Sequence, residues 1–142
     1  MRRNRLNRSA FTLIELLVVI VIIGLLASLV APKFFGKLDD AKVKTAKAQV
    51  EMLSTSLDAF RLDTGRYPTT SEGLKVLWQK RNSNIRGFSG PYLPKPVKED
   101  PWGNMYQYKG DSKEDNPYEL YSFGSDGAQG GSGDAKDVSI WE

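Results

Sequence analysis

The feature that most constrains this chain is a long apolar run close to its N-terminus. Between Arg8 and Lys33 lie 24 residues, and Glu15 carries the one charged side chain among them. As a helix this run would be about 36 Å long, which exceeds a hydrocarbon core of about 30 Å. A helix that is apolar on all sides needs a bilayer or a large protein around it, and this chain has only 142 residues. We therefore expect residues 11–32 to form a transmembrane helix.

An ordinary secretory signal is the alternative interpretation of this run. Its apolar part is longer than the usual length of about 7–15 residues. The nearest small-residue cleavage site ends at Ala31, where Pro32 follows and disfavours cleavage. We therefore expect the apolar run to be retained.

The distribution of charge orients the apolar run and excludes one class of partner. Four of the first eight residues are Arg, whereas residues 33–142 carry 16 basic and 16 acidic side chains. The positive-inside rule places the basic flank in the cytoplasm and residues 33–142 across the membrane. Because residues 33–142 have no excess of positive charge, we expect no nucleic acid as a partner.

The chain contains neither Cys nor His. This excludes disulfides, thiol nucleophiles, Ser-His-Asp catalysis and the common zinc sites within the chain. A membrane-anchored hydrolase or a simple anchored binding module remain as alternatives from other classes. The acids that a hydrolase would use lie beside turn residues, which is typical of solvated loops, and we expect no enzymatic activity. These acids are Glu99, Asp100, Asp111, Glu114 and Asp115.

Glu15 is the unusual residue of the apolar run. A carboxylate within a bilayer costs about 2.5–3.5 kcal/mol on insertion scales, so it requires a polar partner or a route to water. One interpretation is that the side chain extends to the membrane interface, since it lies near the start of the run. The other is that it forms an ion pair within the membrane. The residues alone leave both open.

Residues 10–20 read Ala-Phe-Thr-Leu-Ile-Glu-Leu-Leu-Val-Val-Ile. This segment resembles the N-terminal signature of type IV pilins and pseudopilins, although the family usually has Gly at the position of Ala10. The resemblance implies that a prepilin peptidase cleaves between Ala10 and Phe11, which removes residues 1–10 as a leader peptide, and that Phe11 is then N-methylated. It further implies that the apolar segment becomes the core of a helical filament. There Glu15 would pair with the new amine of Phe11, within one subunit or between neighbours.

The remaining chain predicts an α+β fold. Apolar residues recur every three or four positions between residues 43 and 60, which indicates that the helix continues with one apolar face and ends near Gly65. Residues 66–105 predict an irregular loop with one short helix, which follows the capping-box spacing from Thr69 to Glu72. Aromatic stretches predict strands at residues 105–108 and 118–123, with a third at residues 138–141. We expect residues 33–142 to form a globular domain in which the long helix packs on a small antiparallel sheet.

Four further motifs, at residues 65–70, 73–74, 90–93 and 100–106, resemble the major pseudopilins of type II secretion systems, the G-type subgroup. The resemblance implies a type IV pilin-like fold and a subunit that is anchored in the inner membrane with its C-terminal domain in the periplasm. It implies a periplasmic filament that drives export of folded proteins across the outer membrane. The implied partners are further copies of the chain, minor pseudopilins, the inner-membrane assembly platform and the prepilin peptidase. Another type IV pilin is the alternative, although many of those carry a C-terminal disulfide.

Residues 123–137 contain five glycines and three aspartates, a composition that suits calcium. Glycine lets a backbone aim several carbonyls at one point, and calcium takes about six to eight oxygen ligands without strict geometry. Composition alone leaves a flexible acidic loop as the alternative. The resemblance implies one structural calcium ion in this loop. Its implied ligands are the side chains of Asp126 and Asp137, with Asp134 as a further candidate, and the carbonyls of Phe123 and Ser132.

Overall fold

One helix, α1, spans Leu13–Thr64 and contains 52 residues. It ends where the sequence predicts, since Gly65 has a positive φ of 79° and its amide donates to the Arg61 carbonyl at 2.8 Å. The computed structural model describes residues 10–97, 99–110 and 115–142, so residues 1–9 of the expected leader lie outside the described part. The chain divides into two units, Met1–Leu38 and Asp39–Glu142.

The apolar part of α1 that belongs to the first unit is exposed along its length. Leu13 is 89% exposed, and large apolar residues through Val30 are also exposed. Among the described residues, α1 alone is long and apolar enough to cross a membrane, and none of its apolar window is buried. These properties agree with the expected membrane segment at residues 11–32.

The second unit is built around the apolar face of α1 that the sequence predicts. Five positions of that face are at most 1% exposed, and Val43 is partly buried. Removing such a side chain from water contributes about 1.5–3 kcal/mol for each Leu or Phe. The five positions are Ala46, Val50, Leu53, Leu57 and Phe60.

Three short strands form one antiparallel sheet in the order β1-β2-β3. They are β1 (Gln107–Lys109), β2 (Glu119–Ser122) and β3 (Val138–Ser139). In the central strand Leu120 and Ser122 are buried, which is the alternation expected of a half-buried strand. The predicted strands are confirmed, but each is shorter than the aromatic stretch that indicated it.

The sheet and the helix share the core of the second unit. Tyr118, which is 1% exposed, shares a hydrogen bond of 2.7 Å between its hydroxyl and that of Ser54 on α1. Trp141 follows β3, and its indole Nε1 donates to the Tyr118 carbonyl at 2.8 Å. The predicted α+β architecture is therefore confirmed.

The irregular loop begins with the predicted capping box. The Thr69 amide donates to the Glu72 carboxylate at 2.7 Å, and the Glu72 amide donates to the Thr69 hydroxyl at 3.2 Å. A short 3-10 helix, Leu74–Trp78, follows. Arg66 donates two hydrogen bonds of 2.7 Å to the two Glu72 oxygens, and this pairing lowers the pKa of Glu72 to about 2.

The Glu72 contacts make stability depend on pH in a defined window. The folded pKa of about 2 lies below the ordinary value of 4.5, so the contribution is complete above pH 4.5 and is lost as pH falls towards 2. We expect the urea midpoint of the native chain to fall more steeply over that window than that of a Glu72→Gln variant.

The matched control is Glu51→Gln, because Glu51 is an exposed glutamate on α1. This control should keep the steep pH dependence of the native chain. Equal pH dependence in the native chain and the Glu72→Gln variant would contradict the role given to Glu72.

Candidate functional site

The expected cleavage site lies just before α1. Ala10, Phe11 and Thr12 precede the helix, and Phe11 is 87% exposed. An exposed peptide bond outside regular secondary structure is the kind of bond that a protease can reach. The structure thus places the bond between Ala10 and Phe11 at an accessible position, while residues 1–9 lie outside the described part.

Glu15 caps the helix in which it lies. The Thr12 amide donates to Glu15 Oε2 at 2.9 Å, and the Glu15 amide donates to the Thr12 hydroxyl at 3.2 Å. This is a second capping box, with Thr12 before the first helical residue and Glu15 at the third. A carboxylate at this position also interacts favourably with the positive end of the helix dipole. This role is not among the sequence-based expectations for Glu15, although the Thr-x-x-Glu spacing indicates it.

The glycine-rich loop after β2 folds into two 3-10 turns, Gly124–Asp126 and Gly133–Ala135, which contact each other. Gly124 has a φ of 72°, and a Cβ there would lie 2.8 Å from the Lys136 carbonyl oxygen and 2.9 Å from that of Asp134. Such distances are shorter than a carbon and an oxygen tolerate, so this position requires glycine. The packing brings the turn that carries Asp126 against the backbone that leads to Asp137.

Among the implied ligands, Asp137 has the environment that most favours a cation. Its Oδ2 accepts a hydrogen bond from the Gly130 amide at 3.0 Å, whereas its Oδ1 is buried and has no hydrogen-bond partner among the described residues. A buried carboxylate oxygen without a partner is rare and calls for an explanation such as an ion or a water. A calcium ion bound to Oδ1 would satisfy this oxygen.

The other predicted ligands lie on the same two turns. Asp126 is exposed, and its Oδ1 accepts a hydrogen bond from the Ala128 amide at 3.1 Å. Phe123 directly precedes the first turn and Ser132 the second, while Asp134 lies within the second turn. No three acidic side chains come together as a metal-binding group in residues 10–97, 99–110 and 115–142. The structure therefore does not bring the three implied aspartates together, and a calcium ion in this loop would need backbone carbonyls for part of its shell.

The expectation that Asp100 is a solvated loop acid is wrong. It is 5% exposed, its Oδ1 accepts from the amides of Trp102 and Asn104, and its Oδ2 accepts from the Ser122 hydroxyl. Asp100 is buried because it organises a turn, and its carboxylate oxygens are already engaged. Of the other acids considered for a hydrolase, Glu99 and Asp115 are exposed, whereas Asp111 and Glu114 lie outside the described residues.

Family models match almost all of the chain. The model of type II secretion system protein G matches residues 33–141, and the model of the prokaryotic N-terminal methylation motif matches residues 5–31. The type II secretion system core protein G of Pseudomonas aeruginosa is 40% identical over 141 residues, which cover 98% of this chain and 99% of that protein. The chain belongs to the type II secretion system protein G family.

Further relatives agree with membership in the protein G family. The core protein G of Escherichia coli K12 is 39% identical over 142 residues, covering 95% of this chain and 92% of that protein. The crystal structure of the major pseudopilin from the type 2 secretion system of enterohaemorrhagic Escherichia coli matches with a TM-score of 0.58 and 29% identity. That match covers 75% of this chain and 92% of the other.

Membership in the protein G family confirms the resemblance and the type IV pilin-like fold. It favours the major pseudopilin over another type IV pilin, and the family is one of structural pseudopilins. The matched methylation motif spans Ala10, Phe11 and Glu15, whose individual roles stay predictions.

Proposed function

We propose that this chain is the major structural subunit of a type II secretion pseudopilus. The subunits would polymerise into a periplasmic filament that drives export of folded proteins across the outer membrane. The observation that carries the proposal is the apolar N-terminal part of α1 in a protein G family member: none of its apolar window is buried. So much exposed apolar surface requires a bilayer before assembly and other subunits after it.

The proposed location follows from charge and hydropathy. The Arg-rich residues 1–8 stay in the cytoplasm, residues 11–32 cross the inner membrane once, and residues 33–142 lie in the periplasm. The proposed partners are further copies of this chain, minor pseudopilins, the inner-membrane assembly platform and the prepilin peptidase. The chain has no nucleotide-binding motif, so the energy for assembly comes from another protein. Its own work is mechanical and needs no catalytic residue.

Processing is the first step of the proposed function. Intact-mass analysis of the membrane-extracted protein should give a chain that lacks residues 1–10 and carries one added methyl group on Phe11. An Ala10→Gly variant, which restores the residue usual in the family, should give the same mass. A mass that includes Met1, or one that lacks the apolar segment, would contradict the proposed processing.

Cleavage creates the charge that Glu15 is proposed to neutralise. It removes the four arginines and leaves an amine on Phe11, which is a cation in an apolar setting. The Thr12 amide occupies one position on Glu15 Oε2, and a carboxylate offers about four acceptor positions. Glu15 can therefore cap its own helix and also accept the Phe11 amine of the same or a neighbouring subunit. A buried ion pair between neighbouring subunits would also fix the register between them.

A Glu15→Gln variant separates capping from ion pairing. Glutamine at this position still completes a capping box but has no charge. We expect membrane insertion to be retained while the filament yield falls at least about tenfold, since breaking a buried ion pair costs about 3–5 kcal/mol. Insertion is measured by carbonate extraction of membranes, and filaments by shearing and electron microscopy.

The matched control for this experiment is Glu51→Gln, which removes the same charge from an exposed position of α1 in the second unit. It should assemble as the native chain does. Normal filament yield from Glu15→Gln would show that capping is sufficient and would overturn the ion pair.

We also propose that the loop at residues 123–137 holds one structural calcium ion. Support comes from the unpartnered Oδ1 of Asp137 and from the close packing of the two turns at Gly124. Asp126 and Asp137 would supply carboxylate oxygens, Asp134 is a further candidate, and Phe123 and Ser132 would supply carbonyls. The ion would connect the end of β2 to the segment that enters β3, and its binding to the folded chain would raise stability.

A chelator should lower the melting temperature of the detergent-solubilised native chain. At free calcium of about 100 times Kd the bound ion contributes about 2.7 kcal/mol, all of which the chelator removes. Asp126→Ala should abolish most of this sensitivity, whereas Asp115→Ala, which changes an exposed aspartate outside the loop, should keep it. Indifference of the native chain to the chelator would remove calcium from the proposal.

A further inference from the structure

Both peptide groups of Gly124 are held by side chains, and one of those side chains comes from a distant turn. Asn104 Nδ2 donates to the Gly124 carbonyl at 2.9 Å. The Gly124 amide donates to the Ser122 hydroxyl oxygen at 3.1 Å, and that hydroxyl donates to Asp100 Oδ2. The first residue of the first 3-10 turn is thus fixed from both sides.

The turn that supplies these contacts is itself rigidly closed. The Asp100 amide donates to the Asn104 carbonyl at 2.8 Å, and the Asn104 amide donates back to Asp100 Oδ1 at 2.8 Å. The Gly103 amide adds a bond of 3.0 Å to the Asp100 carbonyl. Because Asp100 and Ser122 are both buried, these bonds form in surroundings with little competing water.

Asn104 also lies against the far end of the Gly124–Asp126 turn. A Cβ built on Gly127 would lie 3.2 Å from Asn104 Oδ1. The Asn104 side chain therefore bonds to Gly124 and lies close to Gly127, the residues that flank Ser125 and Asp126.

We propose that Asn104, supported by Asp100 and Ser122, is a positioning residue for the calcium loop. The inference rests on the calcium site proposed above. In it, the turn at residues 100–104 holds the loop in the conformation that binds the ion. None of the three side chains needs to touch the ion. Without the Asn104 contacts the ion would have to order the loop as it binds, which costs conformational entropy. Loss of residues that orient metal ligands typically weakens metal binding by about 10- to 100-fold.

The test is isothermal titration of calcium into the chelator-treated, detergent-solubilised chain. We expect Asn104→Ala to raise the Kd for calcium at least about tenfold, although every proposed ligand is retained. The control is Asn82→Ala: the Asn82 side chain also makes loop hydrogen bonds, two of 3.1 Å, but within residues 79–84. It should leave the Kd unchanged. If Asn104→Ala does not fold, Asn104→Leu keeps most of the side-chain volume and removes the same donor, with the same expected rise in Kd.

The outcomes distinguish this inference from the calcium proposal. Calcium binding by the native chain with an unchanged Kd in both Asn104 variants overturns the positioning role and leaves the calcium site intact. Absence of calcium binding by the native chain overturns both. If Asn104→Ala melts at a lower temperature than the native chain, both in chelator, but binds calcium with an unchanged Kd, then Asn104 contributes to general stability and the inference is overturned.

Discussion

The burial of one face of α1 is the interaction on which the second unit depends. Leu53, Leu57 and Phe60 are completely buried, and Leu120 of β2 and Tyr118, which precedes β2, share their core. The three strands are two to four residues long, and such short strands are not stable in water on their own. The helix face therefore holds the sheet, and β2 in turn holds the start of the glycine-rich loop.

Helix α1 carries two apolar surfaces that are covered in different ways. In the second unit its apolar side chains are spaced every three or four residues, and the chain itself covers them. In the first unit Leu13 and its apolar successors lie on all sides of the helix, and the described chain covers none of that window. A membrane protein that becomes a filament subunit needs both surfaces, because the exposed apolar surface of the first unit must pass from lipid to other subunits.

The two capping boxes show how far local sequence reasoning reaches. The spacing of Thr69 and Glu72 predicts a capping box, and the structure confirms it. Thr12 and Glu15 have the same spacing and form the same contacts, whereas the sequence-based interpretations of Glu15 concern only the membrane interface and an ion pair. Both boxes join residues three positions apart, so the sequence alone is sufficient to predict both. The missed one matters because it gives Glu15 a structural role that any test of its charge must hold constant.

Short-range periodicity and composition are sufficient to predict much of this protein. The apolar run, the helix stripe that ends at Gly65, the approximate strands and the glycine-rich acidic loop all follow from neighbours within a few residues. Only the tertiary structure decided that Asp100 is buried, that Asn104 contacts the loop at Gly124, and that Asp137 keeps an unpartnered oxygen. These contacts join residues about twenty or more positions apart or depend on burial, and no local pattern encodes which distant side chains the packing of helix and sheet will bring together.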